Sequence, residues 1–425
     1  MDKIRITGGL PLNGEIEISG AKNAALPLMA ASLLTDQPLE FDRVPDLRDV
    51  ASLIEILEEL GVACAYDAQK KTLKLHAARL SSCLAPYDLV RKMRASILVL
   101  GPLVARHGEA KVSLPGGCAI GTRPVDMHID ALRELGAEIE LAEGYIHARA
   151  PGGLVGAEIH FPKSSVGATE NIMMAATLAK GVTVLHNAAR EPEIVDLGGC
   201  LVKMGAEIEG LGTDKITVRG KSFLRGTAHS VIADRIEAGT FAIAGVMTGG
   251  ALLLKNAEIG HLGAMIDPFH KAGVDIAEVA GGVSVRRVKD VLRGVDIMTE
   301  PYPGFPTDLQ AQMMSMLTIA TGAGMVTETI FENRFMHVPE LLRMGADITV
   351  HGSSALVRGV KKLKGADVMA TDLRASVSLV LAGLVAEGAT SVHRIYHLER
   401  GYENIVGKLK AVGAKLEKLK DDGED

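Results

Sequence analysis

Cys118, Asp308 and a scattered set of lysines and arginines are the residues whose types and settings could do chemistry in this chain. Cys118 lies in the run LPGGCAIGTRPVD that ends at Asp126. Pro115, Gly116, Gly117 and Gly121 surround the thiol, and such a run holds neither a stable helix nor a central strand, so a loop is expected. Arg123 follows five residues later. A thiol beside a guanidinium on a glycine-rich loop suits chemistry on an anionic substrate, whereas a free cysteine can equally be a small buried apolar residue. Asp308 closes a second Pro- and Gly-rich stretch, PYPGFPTDLQ. Asp308 and Asp372, the latter in ATDLRAS, could each move a proton or cap the apolar helix that follows.

These residues fall at recurring positions. Just before apolar, helix-forming stretches stand Lys22 and Asn23, then Arg94, Lys163 with Ser165, Asp234 with Glu237, Asp308, and Asp372 with Arg374. Helix N-termini present free N–H groups and the positive end of the helix dipole, which suits phosphate and carboxylate ligands. A second set precedes amphipathic stretches. Arg48, Arg123 and Arg400 each stand 13 residues before a repeated glycine, Arg190 stands 15 before and Arg334 stands 11 before; the fourth position has only His261 nearby. A loop arginine is ordinarily a solvated charge. The alternative is that these loops gather on one face and line a cleft for a ligand with several negative charges.

The elements that must position these side chains come from repetition. The string LGVACA at Leu60 returns as LGAEIE, MGAEIE, AGVDIA, MGADIT and VGAKLE, with its glycine at Gly61, Gly136, Gly205, Gly273, Gly345 and Gly413. Each glycine follows an amphipathic stretch such as Val50–Leu60 or Met127–Leu135 and opens a strand, as a glycine just past a helix end does. Upstream in each unit lies a more apolar helix, expected at Ala24–Leu33, Ala95–Val104, Asn171–Ala179, Gly239–Met247, Leu309–Ala320 and Ala375–Ala386. These helices are apolar nearly all round, so they are expected to be buried. An α/β unit of about seventy residues used six times is long for an open solenoid and fits two closed domains of three units each, built around helical cores.

At 425 residues the chain exceeds one ordinary core. A net charge of −6 and an aromatic content of 3% argue against a nucleic-acid partner. Four cysteines without a CxxC pair argue against a zinc site or disulfide framework and fit a reducing, cytoplasmic compartment. No signal-peptide core or bilayer-spanning stretch is expected. The charged tail, 415–425, reads as frayed and solvated.

The chain resembles the enolpyruvyl transferases. The resemblance runs from about Ile4 to Gly413 and rests on SGAKNAALP, VRKMRAS, LPGGCAIGTRPVD, AAREPEIVDL, PYPGFPTD, ENRFMHVPEL, ATDLRAS and RIYHLERGYE. It implies a two-domain inside-out α/β barrel of six βα repeats, three per domain. One domain would span 21–232 and carry the Cys loop; the other would join 1–20 to 233–425, with the active site in the cleft between them. It implies addition–elimination between phosphoenolpyruvate and the 3-hydroxyl of UDP-N-acetylglucosamine, the committed step toward peptidoglycan. Cys118 would protonate C3 and could form a covalent adduct, implying sensitivity to fosfomycin, and Asp308 would take the hydroxyl proton. Lys22, Arg123 and Arg400 would hold phosphoenolpyruvate, and Asn23 and Arg94 would help place the sugar nucleotide. Pro124, Val125, Asp126 and Met127, together with Lys163, Ser164, Ser165, Val166 and Gly167, would meet uridine and diphosphate, with Ile330 near the base or sugar. Arg334, Asp372 and Arg374 would complete the charged wall. Ser164 departs from the family pattern. No metal, cofactor, membrane insertion or obligate protein partner is implied, and GxGxxG is absent. The rival readings are the sister reaction on shikimate 3-phosphate, which the Cys loop and RPVD run oppose, and a non-catalytic regulatory paralogue, which has no need of Cys118, Asp308, Lys22 and the arginines.

Overall fold

The computed structural model describes residues 2–91, 93–114, 125–288, 290–331 and 333–420. The six repeated glycines adopt left-handed conformations, with φ between 88° and 106°. A side chain there would be strained, so glycine is what lets each amphipathic helix stop and turn directly into a strand. The first such helix, Arg48–Glu59, buries Val50, Leu53, Ile56 and Leu57 along one face.

Among the described residues the strands form six four-stranded sheets with one connectivity. In the third repeat, Glu158–His160 pairs parallel with Val182–His186, which pairs antiparallel with Lys215–Arg219, which pairs antiparallel with Glu207–Glu209. The parallel step requires a crossover, and the helix Val166–Ala176 supplies it. The hairpin follows the amphipathic helix Pro192–Lys203.

The chain divides into two compact units. One holds Met1–Ser19 and Ala233–Asp425, and the other is drawn from 20–232. In the first, the apolar helices Arg235–Met247, Gln310–Leu317 and Leu373–Val385 form the centre, buried along almost their whole length. Ser315 Oγ donates to the Ser378 carbonyl at 2.9 Å, tying two of them without leaving a buried hydroxyl unpaired. In the second unit, Gly101 N–H donates to Asn171 Oδ1 at 2.8 Å and Asn171 Nδ2 donates to the Ile97 carbonyl at 3.2 Å. A Cβ on Gly101 would lie 2.4 Å from that Asn171 oxygen, so the helices cross there only because residue 101 is glycine.

Three sheets take a strand from a distance. Thr227–Ser230 returns to pair with Leu39–Asp42, and Asn13–Glu17 pairs with Ala251–Lys255. Asp2–Thr7 lies between Ala389–His393 and Lys415–Lys420. The tail expected to be frayed is therefore a strand over Lys415–Lys420, because Leu416 is buried opposite Ile6. Helix boundaries also move. The helix expected at Asn171–Ala179 starts at Val166, where the Ser165 hydroxyl accepts from Ala168 N–H. The stretch Ala95–Val104 is a 3₁₀ segment, Arg94–Val99, running into an α-helix, Leu100–His107, that Gly108 ends at φ 76°.

Candidate active site

Three aspartates stand before the three core helices of the first unit. Asp234 and Asp372 are caps: Asp234 Oδ1 accepts from the N–H groups of Ile236 and Glu237 at 2.8 and 3.0 Å, and Asp372 Oδ1 from those of Arg374 and Ala375 at 2.8 and 3.1 Å. Asp308 is not. It sits inside the 3₁₀ turn Thr307–Leu309, one residue ahead of Leu309, the N-cap of Gln310–Leu317, so it does not occupy the capping position. Two guanidiniums take it instead: Arg334 Nη2 lies 2.6 Å from Oδ1 and Arg374 Nη2 lies 3.2 Å from Oδ2.

Both arginines are nearly buried, while the Asp308 side chain keeps 28% of its surface exposed. Burial pushes the Asp308 carboxyl up, but the charges of Arg374 and Arg334 outweigh it and hold the group well below the usual carboxylate range. Burial likewise opposes the charge on Arg374, and Asp308 more than restores it, so that guanidinium titrates above its ordinary value.

Further side chains fix this cage. Arg334 Nη1 donates to Thr307 Oγ1 at 2.8 Å, and Thr307 donates to Glu328 Oε2 at 2.8 Å. The other Glu328 oxygen accepts from Thr299 Oγ1 and from the N–H groups of Ile330 and Phe331. One buried carboxylate thus joins the segment before Asp308 to the segment carrying Ile330. Behind Arg374, the Tyr402 hydroxyl accepts from its Nη1 at 3.1 Å and from Gln312 Nε2 at 3.2 Å, and lies 2.9 Å from Thr240 Oγ1. Glu328, Tyr402 and Gln312 were not legible in sequence, since each acts through partners remote in the chain. Arg400 ends the 3₁₀ turn Ile395–Arg400 and is half-buried.

The second unit carries other expected residues. Lys22 opens the helix Lys22–Ala30, and its Nζ lies 3.0 Å from Asp49 Oδ2 in the first turn of Arg48–Glu59. Asn23 beside it is exposed. His128, which sequence reasoning passed over, joins several expected residues. It lies on the helix Asp126–Glu134 that begins just after Val125. Its Nδ1 lies 3.0 Å from Asn171 Nδ2. An amide N–H₂ only donates, so Nδ1 accepts and the ring proton sits on Nε2. Burial, and then the positive charge of Arg94, push its pKa down to about 4. A Cβ on Gly167 would lie 3.5 Å from the His128 ring. Arg94 and Gly167 therefore lie near one neutral imidazole, Asp126 and Met127 share its helix with Val125 just ahead, and Ser165 and Val166 begin the helix that carries Gly167, with Lys163 exposed and Ser164 half-buried before it. Cys118, Arg123 and Pro124 lie outside the described residues.

The three-repeat units with buried central helices, together with an ionised aspartate in a cage of arginines, define a two-domain enolpyruvyl transferase fold. The chain matches the EPSP synthase (3-phosphoshikimate 1-carboxyvinyltransferase) family over residues 6–409 and belongs to it. Among solved structures, the enolpyruvyl transferase NikO from Streptomyces tendae aligns with a TM-score of 0.88 at 25% identity over 98% of each chain. An EPSP synthase from Acinetobacter baumannii shares the fold at TM-score 0.77 and 17% identity, over 99% of this chain and 100% of that one.

Nearer relatives carry a more particular name. The chain is 61% identical to a UDP-N-acetylglucosamine 1-carboxyvinyltransferase of Rhodospirillum centenum, over 99% of this chain and 100% of that protein. It is 57% identical to one of Caulobacter vibrioides, over 100% and 99%.

Proposed function

We propose that this protein transfers the enolpyruvyl group of phosphoenolpyruvate to the 3-hydroxyl of UDP-N-acetylglucosamine, releasing phosphate, as the committed step toward peptidoglycan in the cytoplasm. The observation that carries this reading is identity of 57–61% across essentially the whole chain with proteins that bear that activity as their name.

The reaction is an addition followed by an elimination. The sugar hydroxyl oxygen bonds to C2 of phosphoenolpyruvate as C3 takes a proton from the Cys118 thiol and Asp308 takes the hydroxyl proton. The tetrahedral adduct then loses a C3 proton and phosphate to leave the enolpyruvyl ether. A thiol with an ordinary pKa of about 8.5 is mostly protonated at neutral pH, which suits a donor. Asp308 held ionised by Arg334 and Arg374 is ready to accept a proton but is a weak base at rest. Anionic groups of the substrates compete with it for those guanidiniums, and each one drawn away strengthens it as a base. Lys22, Arg123 and Arg400 serve the phosphate and carboxylate of phosphoenolpyruvate. Asn23, Arg94, the 124–127 and 163–167 stretches and Ile330 serve the sugar nucleotide, while Asp372 and Arg374 complete the charged wall.

Phosphate release from phosphoenolpyruvate by the purified protein tests this reading. Release is expected only with UDP-N-acetylglucosamine as co-substrate, and release supported by shikimate 3-phosphate overturns it. Cys118→Asp is expected to keep turnover and to escape inactivation by fosfomycin; full inactivation of that variant would place the reactive group elsewhere.

A further inference from the structure

The third repeat carries a cluster that the transfer chemistry does not use. Its edge strand Glu158–His160 pairs parallel with Val182–His186, and the register sets His160 opposite His186. Residues two apart on a strand share a face, so Glu158 and His160 project together, and His186 joins them from the next strand. The imidazoles of His160 and His186 stack with centroids 4.2 Å apart and planes 3° from parallel. Glu158 Oε1 lies 2.8 Å from His186 Nε2. One potential ligand atom from each of the three side chains lies within 4.8 Å of the others. Glu158 and His160 are exposed and His186 is half-buried, so an ion can reach the cluster from solvent.

We infer that Glu158, His160 and His186 form a surface site for a late first-row divalent cation such as Zn²⁺. Two imidazole nitrogens and one carboxylate oxygen are the donors such ions take, and three protein ligands leave a fourth, water-filled position in a tetrahedral set. The ion replaces the contact between His186 and Glu158. Each nitrogen lone pair lies in its ring plane, so the stacked rings must tilt well away from parallel for both to meet one ion. Glu158 supplies the negative charge. Lys215, paired opposite His186 on the following strand, is a cation on the same face of the sheet and limits affinity. Binding clips the edge strand 158–160 to the sheet and therefore favours the folded state.

Calorimetric titration of the full-length reduced protein with Zn²⁺ in a non-coordinating buffer tests the site, with Co²⁺ absorption reporting the ligands. One ion per chain is expected, with visible Co²⁺ bands and no near-ultraviolet thiolate band. Loss of even an outer partner of a bound metal costs about 10–100-fold in affinity, so His160→Ala or His186→Ala should weaken Zn²⁺ binding by about tenfold or more. Glu158→Gln should weaken it less, and all three variants should keep phosphate release in metal-free buffer. Absence of Zn²⁺ binding by the unaltered protein, equal affinity in the His160→Ala/His186→Ala double variant, or a thiolate band that places the ion on a cysteine would each overturn the assignment.

Discussion

Asp234 and Asp372 spend their carboxylates on the backbone at the start of a core helix, while Asp308, at the corresponding place in its repeat, is turned toward two arginines. A capping oxygen is already committed to N–H groups and rigidly placed. A carboxylate held only by side chains can exchange those partners for a substrate. Repetition thus supplies the same residue three times, and a shift of a single position within one turn frees one copy for chemistry.

The sharpest way to break this comparison is one substitution at three places. Asp308→Asn is expected to lower the rate of phosphate release about 10²–10⁴-fold, the usual range for losing a general base. It should also destabilise the protein by about 2–3 kcal/mol, less than for a wholly buried pair because Asp308 is partly exposed, since Arg334 and Arg374 then lack their anion. Asparagine caps as well as aspartate, so Asp234→Asn and Asp372→Asn should shift stability by less than about 0.5 kcal/mol and cost far less activity than Asp308→Asn. Equal loss of turnover at positions 308 and 372, in folded protein, would end the distinction.

Next in size is the pH response. The Asp308 carboxyl titrates lower in the folded chain than in the unfolded one, so its contribution to stability is present above about pH 4 and is lost as pH falls through the folded value. Arg334→Gln should raise that value toward the ordinary range and shrink the contribution, seen as an earlier onset of acid unfolding. His128 and His337, both pushed down to about 4 by burial, act in another window. Unfolding lets them take protons that the folded state refuses, so stability should fall as pH drops from about 6.5 toward 4. Each contributes at most about 3 kcal/mol to that fall. Urea midpoints at pH 5 and pH 7.5 should show a smaller difference for His128→Gln than for the unaltered protein.

Asp234→Ala is expected to have a smaller effect than Asp308→Asn or the histidines. Loss of a cap costs about 1 kcal/mol, read as a lower urea midpoint, and turnover should remain within a few-fold.

The frame of this fold was legible because it is periodic. Gly61 and its five equivalents mark helix ends wherever they recur, and their left-handed geometry is what only glycine adopts without strain. The apolar helices announced their burial by lacking a polar face. The choice between cap and cage at Asp308 was not legible. It depends on Arg334, 26 residues away, and Arg374, 66 away, and on the 3₁₀ turn that moves Asp308 off the cap position. His128 and Glu328 were missed for the same reason: a buried polar residue declares itself only through its partners, and Asn171 lies 43 residues from His128. The tail after Ala414 looked solvated because its lysines dominate the composition, while a strand needs only Leu416 to face inward.

The strand Asp2–Thr7, seated between Ala389–His393 and Lys415–Lys420, has a consequence for how this chain is made. On the ribosome, Asp2–Thr7 is made some 400 residues before its partner Lys415–Lys420, and at about 5–20 residues per second that wait is roughly a minute. The unit drawn from 20–232 needs nothing beyond its own last strand, Thr227–Ser230, and can close while the rest is still being synthesised. The other unit closes only when its latest strands reach its earliest one.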